Sequence, residues 1–252
     1  MENLTIKEIV KSALDKIEIA LSPKQDGLYP YKDAWLNFQK GQLCVLASPR
    51  CGGKSNLALN WIRQLAVCQR RPCGLFTCGT LDGAAIGGRL LAQESGFNFF
   101  SIKTGMMNIE NFNNLEAAAK KLCDAPIFVN ETPNISFADF TAFATDMVQE
   151  KNAQIIFIDD LDSMFEGDVN ELKTLAKDLD IPIVALTTIP PDNVDRPSLE
   201  SFSSRLIVPR IADKVLLLHQ KTLLLCAKNS SGTSCDMRLQ FNPKTLEYFY
   251  VK

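Results

Sequence analysis

Ser48-Pro-Arg-Cys-Gly-Gly-Lys-Ser55 stands between an apolar run, Leu43-Cys-Val-Leu-Ala47, and a stretch with Leu57, Trp61 and Leu65 at helical spacing. A strand, a glycine turn, Lys-Ser and a helix in that order make the setting of a phosphate-binding loop. Gly52 and Gly53 let the main chain curl until its N–H groups point at phosphate oxygens, and the following helix N-terminus adds favourable partial charge. In that arrangement Lys54 reaches the β- and γ-phosphates and Ser55 offers its hydroxyl to Mg²⁺. The expected nucleotide-contacting residues are therefore Ser48, Pro49, Arg50, Cys51, Gly52, Gly53, Lys54 and Ser55, although Ser48 stands where the motif has its first glycine.

The rest of the chain supplies the scaffold such a loop needs. Further apolar runs occur at 75–77, 126–130, 154–158, 183–187, 214–218 and 222–226, and helical patterns occur near 84–95, 109–122, 136–150 and 169–179. Strands that are apolar throughout and alternate with helices predict a mostly parallel sheet covered by helices on both faces. Residues 237–251 predict a C-terminal hairpin with Asn242-Pro243 in or near its turn. Residues 5–21 repeat apolar positions at Ile6, Ile9, Val10, Leu14, Ile17 and Leu21, the spacing of an amphipathic helix. The division expected is a linker-like helix and connection over 1–26 and one nucleotide-binding domain over 27–252.

Asp159 closes the run Gln154-Ile-Ile-Phe-Ile158. A carboxylate at the C-terminal tip of a buried strand faces the crevice where α/β sheets bind ligands, and there it can hold Mg²⁺ opposite Ser55. Other chemistries find less support. With a single histidine, His219, and eight cysteines without CxxC spacing, a zinc site is not expected. Cys51 lies inside the loop, either as a low-pKa thiol or as simple loop filler. Hydrophobic residues make up 46% and charged residues 22%, with a net charge of -2, so the chain has no global basic pull toward nucleic acid. No run approaches the ~18 apolar residues of a membrane span, and MENLTIKEIV lacks a signal-peptide pattern. A cytoplasmic location without a membrane partner is the expectation.

With the loop, the acidic strand end and the element order in hand, the chain resembles the C-terminal ATPase domain of DnaB-type replicative DNA helicases, a RecA-like P-loop NTPase fold. The resemblance runs through nearly all of residues 5–250. It is carried by Gly27-Leu-Tyr-Pro30 and Gln39-Lys-Gly-Gln-Leu43, by Ser48 to Asn60, and by Phe128-Val-Asn-Glu-Thr-Pro133. Ile158-Asp-Asp-Leu-Asp162 matches the family's Asp-Tyr-Leu-Gln segment, and Leu172 to Leu186 is the closest single stretch. Arg196-Pro-Ser-Leu199, Ala212-Asp213 and Ala227-Lys228 also fall at matching spacing. The resemblance implies a six-membered ring of identical subunits that binds ATP or ADP with Mg²⁺ between neighbours and moves single-stranded DNA through its channel. It also implies that the N-terminal helix docks on the adjacent subunit.

The departures from that family fall on the chemistry. Thr80 occupies the position of the glutamate that polarises the attacking water, and a hydroxyl is no general base near neutral pH. Asp82 and Asp160 are the nearby carboxylates that could stand in for it. Ser230 takes the place of the arginine finger while Lys228 is retained, and Thr188 takes the place of a glutamine sensor. The channel-loop segment aligns with Ser203-Ser-Arg-Leu206, leaving Arg205 and Arg210 as candidate phosphate contacts for DNA. The segment between the acidic strand and the next helix is shorter than the family's by about ten residues. Nucleotide binding by Lys54, Ser55 and Asp159 is thus the core expectation, with Lys228 as a further catalytic candidate. A non-catalytic nucleotide-binding paralogue acting as an assembly module in DNA replication or repair is the alternative. A recombinase-like strand-pairing ATPase on the same fold is a third possibility.

Overall fold

The computed structural model describes residues 27–31, 35–133, 135–163, 169–190, 196–205, 207–232 and 235–251, together with Ile6 and Val10. The amphipathic helix expected over 5–21 otherwise lies outside the described residues, as do 164–168 and 191–195.

Continuous apolar runs become strands because each is buried on both faces. The strands are β1 (Gly27–Leu28), β2 (Phe38–Gln39), β3 (Leu43–Ser48), β4 (Cys73–Phe76), β5 (Ile127–Asn130), β6 (Ile155–Ile158), β7 (Ile183–Thr188), β8 (Lys214–His219), β9 (Leu223–Asn229), β10 (Met237–Asn242) and β11 (Glu247–Val251). Strands β1 and β2 pair as a small separate ribbon, and the other nine form one sheet in the order β11-β10-β9-β8-β3-β7-β6-β4-β5. The portion from β8 to β5 is parallel, and β9, β10 and β11 continue it antiparallel. The α/β class, the mostly parallel sheet and the C-terminal hairpin are those the sequence predicts.

The helices are α1 (Lys54–Arg63), extended by a π-type turn over Gln64–Cys68, then α2 (Gly83–Ser95), α3 (Phe99–Thr104), α4 (Ile109–Cys123), α5 (Phe137–Gln149), α6 (Val169–Asp178) and α7 (Ile207–Ile211). They divide the apolar interior into two halves. Along β3, Cys44 and Leu46 point into the half shared with Leu57, Trp61 and Leu65 of α1 and its extension. Leu43, Val45 and Ala47 point into the half shared with Phe140 and Ala144 of α5 and Leu172 and Ala176 of α6. The period of two is therefore present inside a run with no polar residue, because both faces are covered. Each of these side chains removes apolar area worth roughly 25 cal/mol per Å² from water, so the central strand is held from two sides.

Local signals set several boundaries. Asp82 accepts from the Ala85 N–H and Ser136 from the Asp139 N–H, capping α2 and α5. Gly96 and Gly105, both left-handed, end α2 and α3. Across the inner half, Arg63 on α1 bonds Glu94 of α2 at 3.0 Å and Glu247 of β11 at 2.5 Å, tying three elements together beneath the C-terminal hairpin.

Candidate functional site

The loop after β3 can be built only with glycine at two positions. The Ser48 hydroxyl donates to the Pro49 carbonyl at 3.0 Å, and the Gly52 N–H donates to the same oxygen at 2.9 Å. A Cβ on Gly52 would meet both the Pro49 oxygen and the Ser48 hydroxyl at 2.7 Å. Gly53 has φ +101, and a Cβ there would sit 2.2 Å from the Tyr248 hydroxyl. Helix α1 then starts at Lys54 with no side-chain cap and no acidic residue in its first turn. Among the described residues no side chain caps its first N–H groups, which leaves them and the positive dipole end to an incoming anion.

The sheet order brings the other groups to this loop. Because β3 lies beside β7 and β7 beside β6, with Ser48 opposite Thr188 and Ile158 opposite Ala185, three strand ends open at one place. Lys54 Nζ donates to Thr188 Oγ1 at 3.0 Å and lies 3.6 Å from the Asp160 carboxylate. Asp159 is buried, 4% exposed, and accepts a hydrogen bond from the Ser55 hydroxyl. Burial raises its carboxyl above the ordinary range, and Asp160 adds to the rise. The Ser55 hydroxyl, the Lys54 ammonium and Arg89 work in the opposite direction. Nearby, burial together with the charges of Asp159 and Asp160 pushes the Cys78 thiol up to about 12.

Lys54, Ser55, Asp159 and Thr188 are thus brought together, whereas other sequence candidates lie elsewhere. The Thr80 hydroxyl reaches the main-chain oxygens of Thr77 and Asp159, each at 2.7 Å, and so braces the strand tip. Asp82 is an exposed helix cap. Lys228 pairs across from Val215, near the beginning of β8, at the opposite end of the strands from the loop. Its ammonium donates to the carbonyls of Pro209 at 3.0 Å and Arg210 at 2.7 Å. The Ser230 N–H bonds the Asp213 carbonyl at that same end. Arg210 is exposed on α7, Arg205 ends the 3-10 turn Leu199–Arg205, and Cys51 is exposed in the loop.

Several residues of the site carry no local sequence signal. Asp162 accepts from the Thr187 hydroxyl at 2.8 Å and the Thr188 N–H at 2.9 Å, which pins the end of β7. Arg89 of α2 donates to Asn56 at 2.7 Å and faces Asp159. Burial lowers its pKa, and Asp159 opposes that shift. Tyr248 and Lys221 pack on Gly53 from the C-terminal hairpins. Only the long-range pairing of β8 to β11 brings them there, so a linear pattern could not have found them.

A phosphorylated ligand fits this arrangement. The two glycines leave a concavity that any Cβ would fill, and the lysine stands at its rim. A hydroxyl and a carboxylate are hard oxygen donors of the kind Mg²⁺ prefers. Among the described residues no group of three or more His, Cys, Asp or Glu could hold a metal. A divalent ion here would complete its shell with water and with oxygens of a bound phosphate. Among the described residues, too, no helix is long and apolar enough to cross a membrane.

A glycine loop between a buried strand and a helix, with an acidic strand tip beside it, defines a P-loop α/β protein. Residues 27–249 match the DnaB-like helicase C terminal domain, and the chain belongs to that family. It is similar to the replicative DNA helicase DnaB of Treponema pallidum, 27% identical over 260 residues that cover 94% of this chain and 59% of the relative. The DnaB of Geobacillus stearothermophilus is 26% identical over 204 residues, 73% of this chain and 44% of that one. This chain thus spans about three fifths of the length of the first of these relatives. Among solved structures, one described as an ATPase domain superposes with a TM-score of 0.83 at 17% identity, covering 100% of both chains. A DnaB-like replicative helicase described with its primase interactions gives 0.86 at 17% identity, over 100% of this chain and 68% of the other.

Proposed function

We propose that this chain is a helicase-type ATPase domain that binds ATP with Mg²⁺ and hydrolyses it in a ring bound to single-stranded DNA. The observation that carries this reading is the meeting of Lys54, Ser55 and Asp159 at a loop whose glycines cannot be replaced. The main-chain N–H groups and Lys54 hold the phosphates, while Ser55 and Asp159 hold the magnesium, which supplies charge neutralisation on the β- and γ-phosphate oxygens. Family membership supports the ring, and the distance between Lys228 and the loop of its own chain fits a part played across a subunit boundary. Arg210 and Arg205 are the groups proposed to meet DNA phosphates, which need only positive charge. For residues 1–26 we retain the part of a linker to a neighbouring subunit.

The test measures ATP binding by calorimetry and phosphate release with and without single-stranded DNA. Wild-type protein should bind Mg·ATP and release phosphate faster with DNA, and Lys54→Ala should abolish both. Binding or turnover unaffected by Lys54→Ala rejects the proposal. One observation favours a second reading, a nucleotide-binding assembly module without turnover. Thr80 stands at the water-polarising position with its hydroxyl committed to main-chain oxygens. That reading expects stabilisation by nucleotide, about 2.7 kcal/mol at one hundred times Kd, with no multiple-turnover hydrolysis.

A further inference from the structure

Asp160 is the acidic residue that the fold sets against the phosphate-binding lysine, and nothing in the loop motif calls for it. It directly follows Asp159, yet the two carboxylates serve different neighbours. Asp159 takes the Ser55 hydroxyl, whereas Asp160 Oδ2 lies 3.6 Å from Lys54 Nζ and 3.4 Å from Thr188 Oγ1. Thr188 in turn accepts from Lys54 at 3.0 Å, which closes a triangle of ammonium, hydroxyl and carboxylate. The Lys54 and Asp160 side chains are only 12% and 13% exposed, so this triangle is largely withdrawn from bulk water. Asp162 fixes the Thr188 main chain, giving the third corner a defined place.

The position has a chemical meaning once Lys54 is on a γ-phosphate. A carboxylate that ion-pairs with that lysine and accepts from the hydroxyl of the residue ending β7 lies next to the terminal phosphate, on the side of the sheet tip. Thr80 is no base for a water there: a neutral hydroxyl has negligible basicity near neutral pH, and this one is oriented toward main-chain oxygens. Asp82 is exposed and caps α2, and among the described residues it makes no ion pair with Lys54. Arrival of the phosphates draws Lys54 toward them, and the Asp160 carboxylate, with several acceptor lone pairs, can take a water beside its Thr188 contact.

Resting on the nucleotide reading above, we infer that Asp160 is the catalytic carboxylate that accepts a hydrogen bond from the attacking water and aims it at the γ-phosphorus of ATP. The water oxygen forms the new bond to phosphorus as the bond from phosphorus to the β,γ-bridging oxygen breaks. The electron pair of that bond stays with ADP, and the proton lost by the water leaves with inorganic phosphate. Alignment of the nucleophile is the contribution asked of Asp160, and removing such a group typically costs ~10²–10⁴ in rate.

The experiment compares wild type, Asp160→Asn, Asp160→Glu and Asp82→Asn in two assays, Mg·ATP binding by calorimetry and single-turnover hydrolysis with saturating DNA. Asp160→Asn should bind Mg·ATP as tightly as wild type or more tightly, having lost a competitor for Lys54, while hydrolysis falls by about 10²-fold or more. Asp160→Glu should recover part of that rate. Asp82→Asn, still a good helix cap, should match wild type in both assays. The proposal is overturned if Asp160→Asn binds and hydrolyses like wild type, or binds more tightly with no loss of rate, which would make Asp160 only a counter-ion for Lys54. It is also overturned if wild type binds ATP without hydrolysing it, an outcome that leaves the nucleotide site standing. If wild type binds no ATP at all, the reading of the loop itself fails.

Discussion

Replacing Gly53 by alanine puts a methyl group into space that the Tyr248 hydroxyl already holds, 2.2 Å from the ideal Cβ position. Two costs add. At φ +101 an L side chain is strained, by roughly 1–2 kcal/mol. The overlap is then relieved only by moving a tyrosine that is 1% exposed and packed at a tilt against Phe241, with ring centroids 4.8 Å apart. Overpacking of that sort costs about 1–3 kcal/mol, so the total should be roughly 2–5 kcal/mol. Against a typical domain stability of about 5–15 kcal/mol that is a large loss. Tyr248→Phe separates the two parts. It deletes the oxygen and leaves Cζ, 3.5 Å from the Cβ position, as the nearest ring atom in ordinary contact. Alone it loses a long hydroxyl contact of 3.5 Å to the Gly53 carbonyl and should cost under about 1 kcal/mol. Urea denaturation of the four proteins without nucleotide closes a double-mutant cycle. In the phenylalanine background Gly53→Ala should lose only its strain, recovering about 1–3 kcal/mol of coupling. Equal costs in both backgrounds, within about 0.5 kcal/mol, would show that the loop does not rest on Tyr248.

Glu247 should make stability pH-dependent in one direction. Burial raises its pKa, with Glu94 adding to the rise and Arg63 opposing it. Between the ordinary glutamate value of about 4.3 and that raised value, the folded chain holds more protons than the unfolded chain, so stability falls as pH rises. Glu247→Gln removes this contribution. The wild-type stability minus that of the variant, from urea midpoints across the window, should therefore decline with rising pH; a flat or rising difference contradicts it. Cys51 is exposed in the loop, and Cys68 and Cys123 are exposed elsewhere. Saturating Mg·ATP should slow alkylation of Cys51 several-fold, read by mass spectrometry, and leave the other two unchanged; equal rates with and without nucleotide would place the ligand away from the loop. Arg210→Ala should weaken single-stranded DNA binding and reduce its salt slope by about 0.7, the share of one phosphate contact. An unchanged slope removes Arg210 from the DNA surface.

The parts of the fold that were legible in the sequence are those decided by neighbouring residues. Runs such as Ile155–Ile158 and Ile183–Thr188 had to be buried strands because they lack a polar face, and the helices between them force parallel pairing. The turn holding Pro243 joins β10 and β11 as expected, since it stands between two alternating stretches. Short elements escaped. Helix α3 is a six-residue segment set by Asn98 at one end and Gly105 at the other, too brief to show a period. The β1–β2 ribbon rests on two residue pairs. Within the site, Lys54, Ser55 and Asp159 were legible because motif spacing encodes strand–loop–helix geometry. Which carboxylate would face Lys54 was not. Asp82 lies two residues beyond the vacant glutamate position and Asp160 one beyond Asp159, and no linear rule separates them. The separation comes from β6 lying beside β7, whose end carries Thr188, while Asp82 is drawn away to begin α2.

That division also explains which positions could change without dismantling the site. Asp159 is buried at 4% exposure, and burial raises its carboxyl, so by itself it weakens the folded state at neutral pH. An asparagine of the same shape would spare the sheet that penalty, which supports the proposed role of Asp159 in presenting charge to a cation beside Ser55. The same reasoning treats Thr80 differently. Its hydroxyl bonds two main-chain oxygens at the tip of the sheet, a structural task that a longer glutamate side chain could not perform with the same geometry. Under the proposed function, bracing at Thr80 and a negative charge at Asp160 play complementary parts. On the proposed reading, no water-directing carboxylate follows β4, while Asp160 places one at the end of β6, 3.6 Å from the same lysine. Restoring the family's arrangement by Thr80→Glu in an Asp160→Asn background tests the exchange directly. If the two positions are alternatives for one task, the double variant should hydrolyse ATP faster than Asp160→Asn alone. If it is no faster while remaining folded and still binding nucleotide, the vacated position and Asp160 do not share that task.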